Sequence, residues 1–227
     1  MKILIKFFSI IGLLSMSHAA IAIDNVSDGD VLTADTMNEI IDATNANSGS
    51  SGLDFDIDNP CGGGTVYSVG DAGGDGGTVF FVTADGCNGL EAAPVDLAPA
   101  SRNWGCDGEN VSGADGTAIG DGAPNTLAVV NQACADPADA VDAARAYTGG
   151  AETDWYLPSK DELLEMYNTI GPGGDNSGGF VSNGVYWSSS EIDSLEVYVV
   201  NFANGGSPVN PKNFARESRA IRTLVDP

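Results

Sequence analysis

The densest run of polar chemistry in the sequence is Trp187, Ser188, Ser189, Ser190 and Glu191. An indole plate can stack on the apolar face of a sugar ring, while hydroxyls and a carboxylate hydrogen-bond its rim. The opposing reading puts Trp187 in the core with the serines satisfying buried backbone, and for Trp187 that reading is preferred. Downstream, Ala203 to Glu217 carries Gly, Pro and Asn and reads as a loop. Its stretch Asn204 to Asn213 is the better ligand candidate, because loops on a rigid scaffold carry binding. Asn204, Asn210 and Asn213 offer neutral donors and acceptors there. Hydrolysis of a glycoside would need two carboxylates at a set separation. Asp161 with Glu162, or Glu191 with Asp193, supplies the residue types, but nothing in the spacing fixes a separation. No enzymatic activity is expected.

Composition removes other classes. The single histidine, His18, lies in an N-terminal stretch, MKILIKFFSIIGLLSMSHAAIA, that reads as a secretory signal over residues 1–22. Lys2 and Lys6 form its positive start, and Ala20, Ile21 and Ala22 its small-x-small cleavage site. The processed chain then holds no histidine, which excludes Ser-His-Asp and Cys-His nucleophiles and His-ligated zinc. No later stretch is long and apolar enough to span a membrane. The formal charge is −23, with 32 acids against 9 basic residues. Such a field repels nucleic acid, sulfated polymers and anionic lipid. Many acids sit among glycines, as in GDAGGDGG at 70–77. Calcium, a hard cation bound by loop oxygens, is therefore the candidate cofactor. Asp54, Asp56 and Asp58 alternate, but Asn59 and Thr65 stand where an EF-hand needs Gly and Glu, so a linker or irregular edge strand is expected there.

The elements that must position these residues can be read from periodicity. Met37, Ile40, Ile41 and Thr44 mark one face of a short helix in residues 23–47, too short to stand alone. It should dock or assemble with copies of itself, as a homo-oligomer such as a trimer. A Ser/Gly/Asn linker covers residues 48–58, and the main domain runs over 59–227. TVFFVT at 78–83 reads as a buried strand, followed by a short strand in NGLEAAP. The stretch from Val95 to Ala123 lacks periodicity, and a cystine at Cys106 would staple it. Pro124 to Ala135 reads as a helix with Leu127, Val130 and Cys134 on one side. Asp136 and Pro137 begin a second helix, in which Val141, Ala144 and Tyr147 face inward. Ser159 and Glu162 form the capping box of a third, with Leu163, Met166, Tyr167 and Ile170 as its stripe. Strands follow from Val185, over Val197 to Phe202, and over Ser218 to Val225. Helices before strands without strict alternation give an α+β class. Lys212, Arg216, Arg219 and Arg222 crowd the C-terminus and should pair internally with carboxylates. Four cysteines in an exported chain imply two disulfides. The short-loop pairing is Cys106 with Cys134 and Cys61 with Cys87.

The motifs WYLPSKDEL (155–163), YWSSSE (186–191), NFANG (201–205) and SRAIR (218–222) also come in a telling order. VGDAGGDGGTVFFV, GLEAAP, GTAIGDGAPNT and GGF extend it over Tyr67 to Leu224. Together they resemble a bacterial domain family of unknown function, also called the Legionella collagen-like protein C-terminal domain. The resemblance implies a compact C-type-lectin-like fold on exported proteins, often beside a repetitive or oligomerising stalk, with roles in adhesion and glycan binding. The calcium-dependent sugar motifs of C-type lectins, EPN or QPD with a following WND, do not occur in this sequence. The expected function is a secreted or cell-surface binding module for a neutral glycan or a protein ligand. The alternatives are a structural subunit of an oligomeric surface fibre and, third, a hydrolase.

Overall fold

The computed structural model describes residue 61 and residues 64–74, 76–98 and 101–224. The expected signal (1–22), helical segment (23–47) and linker (48–58), with Asp54, Asp56 and Asp58, lie outside the described residues. Contacts divide the chain between Val66 and Tyr67, and every element below belongs to the second unit.

That unit is α+β. Strand β1 (Thr78–Val82), β2 (Gly89–Ala92) and β6 (Ile221–Leu224) form one antiparallel sheet in the order β1-β2-β6. Strand β3 (Val185–Glu191), β4 (Glu196–Asn201) and β5 (Val209–Pro211) form the other, in the order β3-β4-β5. Helices α1 (Gly122–Gln132), α2 (Ala140–Arg145) and α3 (Lys160–Thr169) lie between the sheets in sequence. The C-terminal strand returns to the start of the domain, setting Arg222 opposite Glu91.

Two apolar clusters make the core. One gathers all three tryptophans, Trp104, Trp155 and Trp187, with Val129, Val141, Leu157 and Val199. The other gathers Phe80, Tyr186 and Phe202 with the α3 stripe of Leu163, Met166 and Ile170. Each indole N–H reaches a backbone carbonyl: Trp104 to Ser188 (2.7 Å), Trp187 to Arg102 (2.8 Å) and Trp155 to Gly149 (3.1 Å). That lets large amphipathic rings sit at zero exposure without an orphaned donor.

The capping box of α3 forms as expected. Ser159 Oγ accepts from the Glu162 N–H, and Glu162 Oε2 accepts from the Ser159 N–H at 2.7 Å. Helix α1 differs from its reading. It begins at Gly122, and it buries Gly122, Asn125, Thr126 and Val129, while Leu127 is 52% exposed. Polar side chains turn inward because they have partners there: Asn125 Nδ2 donates to Gly116 O (2.7 Å) and Thr126 Oγ1 accepts from the Leu157 N–H (3.1 Å). Gly122 is required by close approach, since a Cβ there would meet Glu162 Oε2 at 2.2 Å and the Ser159 nitrogen at 2.9 Å. Helix α2 begins at Ala140, later than Asp136 and Pro137 suggest. Those residues form a turn in which Asp139 Oδ2 accepts from the Asp136 N–H at 3.0 Å.

Cys106 and Cys134 are joined across a separation of 28 residues. Cys61 and Cys87 are disulfide-bonded as well, and no described cysteine is free. The first cystine staples the irregular stretch before α1. Loop-closure entropy for a bridge of this span is on the order of 3–4 kcal/mol.

Candidate functional site

The polar run in β3 lies inside the protein. Ser188, Ser189 and Ser190 have zero exposure and Glu191 has 4%. Ser188 Oγ donates to Tyr198 O at 2.8 Å. Ser189 Oγ accepts from Asn125 Nδ2 at 3.2 Å. Ser190 Oγ donates to Gly116 O at 2.6 Å and accepts from the Lys160 N–H at 3.0 Å. The β3–β4 register shifts between Trp187 and Glu191. A bulge of this kind re-aims side chains and frees backbone, and here the loop before α1 and the N-terminus of α3 take up the freed groups. Ser188, Ser189, Ser190 and Glu191 are thus removed from the expected binding surface. Their hydroxyls are consumed in holding three segments together. Trp187, with zero exposure, is core.

Glu191 is also committed. Its Oε2 accepts from the Val111 N–H at 2.8 Å, and its other oxygen pairs with the Lys212 ammonium. Lys212 pairs with a carboxylate as expected, and it has zero exposure although it lies in the stretch that reads as a loop. Its Nζ also donates to Glu109 O (2.7 Å) and Cys106 O (3.4 Å), and lies 4.9 Å from the centroid of the Trp104 ring. A carboxylate, two carbonyls and a π-face surround this ammonium much as ligands surround a bound cation. Among the described residues, no three His, Cys, Asp or Glu side chains converge as metal ligands.

Each of the two carboxylate pairs has a member held in local structure. Glu162 is buried in its capping box, where Oε1 also accepts from the Gly120 N–H at 2.8 Å, and burial raises its pKa despite these bonds. Asp193 Oδ1 accepts from the Leu195 and Glu196 N–H groups (2.8 and 2.9 Å), closing the β3–β4 hairpin. The other C-terminal cations behave largely as expected. Arg219 pairs with Asp96 at 2.6 Å, and Arg222 with Glu91 and Asp154 at 3.0 Å each.

The expected loop holds the short strand β5 in its middle. Its antiparallel pairing sets Val209 opposite Tyr198, Asn210 opposite Val197 and Pro211 opposite Glu196. Asn204 is exposed in the turn after β4, where its Oδ1 accepts from the Gly206 N–H at 2.9 Å. Asn213 is exposed just past β5. Asn210 is half-buried, and its Oδ1 accepts from Arg216 Nε at 2.7 Å. Asn204 and Asn213 therefore lie beyond opposite ends of β4, a six-residue strand about 17 Å long at roughly 3.4 Å per residue. They do not converge on one small ligand.

The hairpin end and the segment paired with it instead carry exposed apolar residues. Leu195 is 56% exposed, Phe214 46% and Ile192 40%. The backbone sets the segments of Leu195 and Phe214 side by side: the Lys212 N–H donates to Leu195 O (2.8 Å) and the Phe214 N–H to Pro211 O (3.1 Å). Arg216, braced by Asn210, lies 5.2 Å from the centroid of the Phe214 ring. Sequence reading missed Leu195 and Phe214. The available signal was large apolar side chains set within loop composition, where no core periodicity calls for them. Pro211 lacks an N–H and β5 is short, so this edge is poorly suited to adding another strand.

No protein-family model matches the chain, and no curated protein matches it.

Proposed function

We propose that the protein is an exported binding or adhesion module, without catalysis, whose domain is C-type-lectin-like and whose ligand is a neutral glycan or a protein surface. The observation that carries this reading is the hairpin end. Leu195 and Phe214 stand exposed on a backbone fixed by the buried ion pair beneath them. An apolar contact, flanked by Asn213 and continuing along β4 to Asn204, suits an extended ligand better than a small one. Full use of the cysteines supports an oxidising compartment. No described helix is long and apolar enough to cross a membrane. The acidic field disfavours polyanions, which supports an uncharged ligand over a sulfated one.

The full chain applied to a printed array of neutral and sulfated glycans, together with immobilised host-type extracellular proteins, tests the proposal. Binding to neutral glycans or to a protein, weakened by Phe214→Ala, is expected. Tightest binding to sulfated polymers would overturn it.

A further inference from the structure

The cystine, strained backbone and buried ion pair meet in one segment, residues 105–111. Cys106 has φ 51° and Ala133, beside Cys134, has φ 55°. These are two of the three described non-glycine residues with positive φ, a conformation that persists only where surrounding structure holds it. Gly105, with φ 124°, lets the segment enter. A Cβ there would meet the Ala135 side chain at 2.8 Å.

The segment grips the ion pair through its backbone. Carbonyls of Cys106 and Glu109 accept from Lys212 Nζ, and the Val111 N–H donates to Glu191. Its turn is tied to the hairpin by the Gly108 N–H, which donates to Ser194 O at 2.9 Å. Lys212 follows directly on β5, and the Trp104 N–H donates to its carbonyl at 3.0 Å. One strap therefore touches the β3–β4 hairpin and anchors the residue that ends the edge strand.

We propose that Cys106–Cys134 is a redox latch. Oxidised, it holds the strap over Glu191 and Lys212 and fixes β5 and the hairpin; reduced by a dithiol, it frees the strap and loosens both together. Cys134 is the more accessible half of the cystine, being half-buried while Cys106 is 3% exposed. A thiolate of the dithiol attacks Cys134 Sγ, and Cys106 leaves as a thiolate and takes a proton. The second thiol of the reagent then displaces Cys134 and closes the reagent's own disulfide. Two electrons and two protons pass from the dithiol to the protein. Reformation needs a disulfide oxidant, such as oxidised glutathione. The latch stands independently of what the edge binds, because its readout is backbone protection.

Hydrogen exchange of the full chain, with and without dithiothreitol, tests it. Peptides covering 105–111, 193–196 and 209–214 should exchange at least about tenfold faster after reduction, while α3 stays protected and oxidised glutathione restores the first state. The Cys106→Ser/Cys134→Ser variant leaves Cys61 and Cys87 in place. It should show the loosened pattern without reductant. If that variant does not fold, a dithiothreitol series on the wild type, with each cystine's reduction followed by mass, assigns the change to one bridge. Loosening of the strap alone, uniform loss of protection including α3, or a change that follows Cys61 and Cys87 would each overturn the latch.

Discussion

Lys212 and Glu191 pair their charges with side-chain exposures of 0% and 3%, and they join β5 to the end of β3. Removing one partner leaves the other charge buried, which typically costs about 3–5 kcal/mol, whereas replacing both is far milder. Lys212→Met should lower the urea-unfolding free energy by that amount. Glu191→Gln added to Lys212→Met should recover a large part of it. A loss under about 1 kcal/mol for Lys212→Met would show that the pair does not hold the edge.

Ser159 caps α3 and also donates from Oγ to Ala118 O at 2.7 Å, so it closes the loop before α1 as well as the helix. Ser159→Ala should cost at least about 1 kcal/mol by denaturant titration, the usual value of an N-cap. Ser159→Asp should not recover that stability, because a carboxylate can cap but cannot donate to Ala118 O and would be buried beside Glu162.

Acid should stabilise the fold. Burial raises the pKa of Glu162; burial, then Asp139 and Asp136, raises that of Asp142; burial, together with Asp96, raises that of Glu217. A carboxyl whose folded pKa lies above its unfolded value opposes folding when ionised. The penalty is complete above the folded pKa and gone below the unfolded value of about 4. Asp85 and Asp175, lowered chiefly by hydrogen bonds from Thr83 and from the Ser177 N–H, act in the opposite sense, but only below about pH 4. The melting temperature should therefore rise as the pH falls from 7.5 towards about pH 4, helped by relief of the −23 charge. A steady fall over that interval would contradict the assignment.

These residues also mark what the sequence makes legible. Ser159 and Glu162 were readable because a capping box is local, with both partners three residues apart. The strand in TVFFVT was readable because an apolar, β-branched run leaves few other options. The inward face of α1 was not. Its buried Asn125 and Thr126 are polar, and their partners at Gly116 and Leu157 are brought near only by tertiary structure. Ser188 to Glu191 misled for the same reason. Polarity signals solvent only until a buried partner meets it, and the partners of Lys212 lie 21 to 106 residues away. Asn204 and Asn213 looked like one loop because the three-residue strand between them is too short for a period-two pattern to declare itself.

We propose that the hairpin end carries the ligand while the seryl run carries the fold. The most direct measurement is array binding by the wild type, Phe214→Ala and Ser190→Ala, each held below its own melting temperature. Phe214→Ala should lose about tenfold or more in affinity at an unchanged melting temperature, as an exposed aromatic anchor does. Ser190→Ala should bind as the wild type but melt lower, because Gly116 O and the Lys160 N–H lose their partner. Unchanged binding by Phe214→Ala, or lost binding by a folded Ser190→Ala, would contradict the account.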